Sequence, residues 1–205
     1  MSILAAIDVE PRPTRVCVFI SGRGSNLAAA LDIPSIDIRL VVTSDADAAG
    51  VMKARRAGVP VLVLPTQALS KNSPSPKKQV DWTLLDSELR ARSIDAIFLL
   101  GFMKIVPETF VRAWEGRILN LHPSLLPSYP GLKSIERAFH DRAPCGATVH
   151  EVVAEVDAGR VLRSRRSYIF DARTSASLAE VERLVHVDEQ CLVKEIVERW
   201  RPRSL

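Results

Sequence analysis

Residues 120–131 read NLHPSLLPSYPG. An Asn and a His two apart close the apolar run RILNLH (117–122), and two prolines then bracket Ser-Leu-Leu before a Tyr-Pro-Gly turn. Pro123 and Pro127 each fix φ and remove a backbone donor, so the segment continues neither a regular helix nor a central strand. A single turn signal is enough to join a strand to a helix; this run of them makes a stiff platform. With 117–122 as a strand, Asn120 and His122 point to the same face. An amide that donates, beside an imidazole that donates or shuttles a proton, suits a developing oxyanion at a carbonyl carbon. The plainer alternative is a turn-capping His and an Asn that satisfies backbone groups.

Outward from this segment, compact apolar runs alternate with helical patterns. RVCVFIS (15–21), IDIRLVVTS (36–44), VPVLVLP (59–65) and DAIFLL (95–100) read as strands, with 117–122 as a fifth. LAAAL (27–31), ADAAGVMKARRAG (46–58) and QVDWTLLDSELRAR (79–92) read as helices, and polar, Pro-rich SKNSPSPKK (70–78) as a surface loop. Continuous Val/Ile/Leu strands separated by helices predict an α/β fold: a Rossmann-like, mostly parallel sheet with helices on both faces. After residue 131 the pattern becomes a helix (132–141), two strands (145–152 and 160–170) and a long C-terminal helix over 174–200, capped by Thr174 or Ser175.

Composition narrows the function classes. The 205 residues are 47% apolar and 25% charged, as in a globular chain, with no apolar run long enough to span a membrane. Residues 1–14 make a poor signal peptide and are expected to be a disordered extension ahead of a single domain at 15–205. Three cysteines without metal-ligand spacing predict reduced thiols, a cytoplasmic location and no metal. A net charge of +4 suits an anionic ligand, but the basic residues are dispersed and only 5% of the chain is aromatic, which argues against nucleic acid.

ISGRGSN (20–26) follows the first strand and opens the first helix. Gly22 and Gly24 permit a tight turn, and the amides near Ser25 and Asn26 would favour a phosphate. Neither the dinucleotide fingerprint nor a P-loop is met, so an ordinary capped turn is the competing reading. Asp157, in AEVDAGRV, sits on a Gly-containing connection of the kind that often carries catalytic carboxylates, although Asp-Ala-Gly is also plain turn chemistry. Spacing alone does not bring Asp157 to His122, and His140 and His150 offer no carboxylate to orient that ring.

Taken together, ISGRGSNL (20–27), TSDADAAGVMKARRAGVPV (43–61), LGFMKIV (100–106), NLHPSLLPSYPG (120–131) and GATVHEVVAEVDAGRV (146–161) resemble the folate-dependent formyltransferases that act on glycinamide ribonucleotide. The resemblance runs from about Arg15 to Phe170 and implies the formyltransferase fold. It also implies transfer of a formyl group from 10-formyltetrahydrofolate to the amine of glycinamide ribonucleotide, in purine synthesis. Asn120 and a protonated His122 would stabilise the tetrahedral oxyanion, while Asp157 would favour the charged imidazole and assist proton transfer. Gly24, Ser25 and Asn26 match the substrate-phosphate positions. Lys78, Met103, Lys104, Ile105, Val106 and Asn120 match positions toward the folate, and Thr148 and His150 a pattern supporting the loop that bears Asp157. The partners implied are small molecules, with no nucleic acid or membrane, for a monomer or homodimer.

Three departures accompany the match. KKQVD (77–81) offers only Lys77 or Lys78 where the family has an arginine, and a lysine loses bidentate geometry. DAGR (157–160) has Arg160 in place of proline. The last helix reads VHVDE (185–189), placing His186 where the family carries a glutamate, with Asp188 or Glu189 as substitutes on a shifted helix. The alternatives are a relative that formylates another amine, a formyltetrahydrofolate hydrolase, and a non-catalytic folate- or nucleotide-binding protein.

Overall fold

The computed structural model describes residues 12–64, 66–68, 78–171 and 176–202. Its main sheet has seven strands: β1 (Thr14–Ile20), β2 (Ile36–Thr43), β3 (Val61–Val63), β6 (Ala96–Leu99), β7 (Ile118–His122), β8 (Cys145–Glu151) and β9 (Val161–Tyr168). The order is β3-β2-β1-β6-β7-β8-β9, parallel from β3 to β7 and antiparallel at β7-β8 and β8-β9. The order reverses between β1 and β6, so a crevice opens at the carboxyl ends of those strands, where such sheets take ligands. The expected α/β, mostly parallel architecture is therefore present.

Period-two alternation divides the core into two layers. Val16, Val18 and Ile20 of β1 face α1 (Ser25–Leu31), α2 (Ala49–Arg56), α5 (Ser134–His140) and α6 (Leu178–Arg199). Cys17 and Phe19 face α3 (Trp82–Ala91) and α4 (Glu108–Ala113). Each strand is thus apolar on both sides because both sides are covered. Trp114 is fully buried in the second layer, Trp82 packs edge-on against Phe110, and Trp200 lies 5.9 Å from Phe98. Trp200 also anchors part of a C-terminal stretch whose composition suggests fraying.

Several boundaries differ from the sequence reading. The strand begins at Thr14, and Arg12 already pairs with Asp95 at 2.8 Å, within the segment expected to be an extension. Residues 78–80 are not helical: β5 (Lys78–Val80) pairs antiparallel with β4 (Thr66–Ala68), and α3 starts only after Asp81, whose carboxylate accepts from the Leu84 amide. Helix α4, six residues after Pro107, is too short to carry a readable period. Thr174 and Ser175 lie outside the described residues, and the cap of α6 is Ser177. Its hydroxyl accepts from the Glu180 amide while the Glu180 carboxylate returns to the Ser177 amide, a reciprocal capping box.

Candidate active site

The stretch 120–131 folds as its composition requires. Asn120 and His122 end β7, and the following loop is pinned by Thr148 of β8. The Thr148 hydroxyl donates to the Ser124 carbonyl at 2.7 Å and accepts from the Leu126 amide at 3.1 Å. Thr148 therefore braces the proline platform, not the Asp157 loop expected from the resemblance. His150, two residues on, lies opposite Asn120 in the antiparallel register and on the same face.

The connection 152–160 folds back so that Asp157 reaches this face. Its carboxylate accepts the Gly131 amide at 2.7 Å and the Asn120 side-chain amide at 3.3 Å. It lies 3.4 Å from His122 Nδ1 and 3.4 Å from His150 Nε2, with its side chain only 7% exposed. Burial alone would push Asp157 upward. The His150 contact, the Gly131 amide and the charges of His122 and His150 outweigh it and lower the pKa from 3.8 to about 2. Asp157 adopts a left-handed φ of 53°, which Asp tolerates better than most residues. Two residues later Gly159 runs so close to the neighbouring strand that a Cβ would sit 1.7 Å from the Glu151 carbonyl oxygen. That approach requires glycine. Arg160, where a proline stands in the family resemblance, pairs with Glu151 at 2.6 Å and closes the same connection.

The two histidines flank Asp157 differently. His122 Nε2 donates to the Tyr129 carbonyl at 3.1 Å, so a ring carrying both hydrogens satisfies that acceptor and the carboxylate together. His150 Nδ1 lies 2.9 Å from the Glu151 carbonyl, and its Nε2 lies 3.1 Å from the Asn120 side-chain nitrogen and 3.4 Å from Asp157. An amide, a carboxylate and two imidazoles are thus locked within one buried polar network, and every member has a partner.

Across the crevice, Gly24 precedes α1 with φ 67°, and its backbone packs directly on α2: a Cβ would lie 2.6 Å from Gly50 Cα. The loop's glycine thus serves chain packing as well as any ligand. Ser25 opens α1. Asn26 is turned inward, 6% exposed, with Nδ2 donating to Glu189 at 3.3 Å and Oδ1 buried without a partner among the described residues. Glu189 is itself buried on α6 and takes His186 Nδ1 at 2.7 Å. The carboxylate brought to the glycine loop is therefore Glu189. His186 stands beside it, and Asp188 is drawn away to Arg165 at 2.9 Å. Glu189 interrupts the buried stripe Val181, Val185, Leu192 and Ile196. A charge inside an apolar stripe is the signal by which the sequence could have located it.

The loop after β6 links the two sides: the Met103 amide donates to Ser21 Oγ at 3.0 Å, and Ser21 shares a hydrogen with Ser44 at 2.8 Å. Met103, Lys104 and Ile105 are exposed on the rim, while Phe102 and Val106 pack on the second core layer. The side chain of Lys78 lies outside the described residues.

The sequence profile of the formyl transferase family matches residues 14–196. The chain belongs to the formyl transferase family. It is 38% identical over 185 residues to the human trifunctional purine biosynthetic protein adenosine-3, covering 87% of this chain but 18% of that protein. It is 34% identical over 193 residues to the phosphoribosylglycinamide formyltransferase of Haemophilus influenzae, covering 91% of this chain and 86% of the relative. The crystal structure of phosphoribosylglycinamide formyltransferase from Anaplasma phagocytophilum superposes with a TM-score of 0.79 at 32% identity, over 91% of this chain and 86% of that one. The polar network lies on the face of β7 and β8 within the matched span.

Proposed function

We propose that the protein transfers a formyl group from 10-formyltetrahydrofolate to the amine of glycinamide ribonucleotide, in the cytoplasm, through Asn120, His122 and Asp157. The observation that carries this reading is the Asp157 carboxylate seated between His122 and Asn120 at the open edge of the sheet. The folate, when bound, would supply the formyl carbon that the amine attacks; the bond from that carbon to the folate N10 breaks, and N10 leaves with a proton equivalent to the one the amine gives up. Exposed apolar side chains at Met103, Ile105, Val153 and Val156, on the loops after β6 and β8, offer a flat ring system an apolar surface.

The chain's own residues then act on charge and protons. Asn120 gives its longer bond, to Asp157, over to the formyl oxygen as that oxygen becomes anionic, and His122 presents a second N–H from the same face. Asp157, ionised throughout the neutral range because its pKa is lowered to about 2, sets its negative charge beside His122 and assists proton transfer from the amine through water. Ser25 and the amides around Gly24 receive the acceptor's phosphate, and Glu189 with Asn26 meets the remainder of the acceptor. Lys78, Lys104, Met103, Ile105 and Val106 bound the folate. The acceptor and donor are small molecules, and the unit is one domain over 15–205, a monomer or homodimer.

The test is release of tetrahydrofolate from 10-formyltetrahydrofolate with glycinamide ribonucleotide, with other amines, and with none. Release that requires glycinamide ribonucleotide is the expected result. Release with no amine would instead make the protein a hydrolase.

A further inference from the structure

Glu189 poses an electrostatic problem. It is a buried carboxylate directly behind the glycine loop, where its charge opposes any anion that the loop receives. Asn26 offers it a dipole but no charge. Among the described residues the one cation in contact with it is His186, one helical turn earlier, half-buried, with Nδ1 at 2.7 Å. Resting on the functional reading above, we infer that His186 is a positioning residue of the acceptor subsite: as an imidazolium it cancels the charge of Glu189 and holds its carboxylate toward Asn26, so that a phosphorylated acceptor, and not the folate donor, feels the protonation of His186.

The surroundings of the ring favour this role. The hydrogen bond to Glu189 raises His186 above its ordinary 6.5, burial opposes this, and the charges of Glu189 and Glu182 add to the rise. Arg23, from the glycine loop, pushes the other way. Arg165 of β9, which packs on α6, is held by Asp188 and Glu195 and so leaves Glu189 to His186. With the folded-state value raised, the ion pair is complete below about pH 6.5 and is lost as pH climbs through the higher value. Above it, Glu189 stands unbalanced beside the loop, and an anionic acceptor binds more weakly.

The experiment measures acceptor KM and donor KM from pH 6.5 to 9.0 for the wild type, His186→Gln and His186→Lys, with thermal melts to confirm folding. Glutamine keeps a donor without charge, and lysine keeps charge that does not titrate in this range. The wild-type acceptor KM rises with pH. At pH 6.5 His186→Gln has an acceptor KM roughly fivefold above wild type, and its profile follows only the acceptor's own ionisation. His186→Lys stays low across the range, and donor KM moves in neither variant. The His186 ring resonance, followed by NMR, titrates at higher pH when acceptor is bound, as reciprocity requires. A His186→Gln profile identical to wild type, an effect confined to kcat or donor KM, or a ring titration indifferent to acceptor would overturn the inference. Wild-type protein that does not use glycinamide ribonucleotide at all would remove the functional reading beneath it.

Discussion

Asp157 and Glu189 are both buried carboxylates beside a histidine, yet they are built differently. Asp157 sits on a loop, in a left-handed backbone conformation, with donors or imidazoles on both oxygens. Glu189 sits on a 22-residue helix and takes one amide and one histidine. The first arrangement fixes a charge in place and lowers its pKa far below working pH; a group so placed holds and moves protons without itself titrating. The second has a single titratable counter-charge, so its balance shifts near neutrality. The difference separates a site for chemistry from a site for recognition.

The sharpest way to break that distinction is His122→Ala. It removes the proton-bearing group from the Asp157 network, and turnover is expected to fall by about two to four orders of magnitude, measured as tetrahydrofolate release, with binding of the acceptor little altered. A smaller loss would mean that the network around Asp157 is structural.

Gly159→Ala strikes the connection that carries Asp157. With the Glu151 carbonyl oxygen 1.7 Å from the new Cβ, the backbone must move. A loss of about 3 kcal/mol in denaturant unfolding is expected, near the upper range of single substitutions. An unchanged midpoint would show that the connection does not need its close approach.

Acid unfolding compares the carboxylates through stability. The folded pKa of Asp157 is lowered from 3.8 to about 2, so its contribution is present above the unfolded value and vanishes as pH falls from about 4 to 2. Wild type is expected to lose about 2 kcal/mol more over that window than Asp157→Asn, which has no charge to protonate. Equal slopes would contradict the lowered value.

Glu189→Gln keeps an acceptor for Asn26 and discards the charge. Acceptor KM is expected to change by about tenfold, with donor KM unmoved. An effect on both substrates would merge the two regions that the comparison holds apart. The smallest effect belongs to the far end of the same helix: Ser177→Ala breaks the capping box and is expected to lower Tm by about 2–4 °C.

The sequence carried the first region better than the second, for a physical reason. Asn120 and His122 are two apart on one strand, and the prolines after them advertise a fixed loop, so local geometry defines the pair. Asp157 joins them only because β8 returns antiparallel beside β7, a fact of topology that the residue types supported through family resemblance but did not derive. Glu189 meets Asn26 across 163 positions, and the angular setting of a long helix against a loop depends on packing that no local pattern states. VHVDE without that setting leaves His186, Asp188 and Glu189 open, and the packing of α6 brings Glu189 to Asn26. Ser177 had a local signal, Ser-Leu-Ala-Glu, but earlier hydroxyls at 174 and 175 competed with it. Strand β5 takes Gln79 and Val80 from the expected helix and Lys78 from the expected loop, and α4 is too short for its period to be seen.

The measurement that bears most directly on the account is single-turnover formyl transfer by wild type and Asp157→Asn, with 10-formyltetrahydrofolate and glycinamide ribonucleotide both saturating and the binding of each followed by calorimetry. The account predicts that Asp157→Asn binds both substrates nearly as wild type does and transfers the formyl group at least about a hundredfold more slowly. Transfer at the wild-type rate, with both substrates bound, would contradict it.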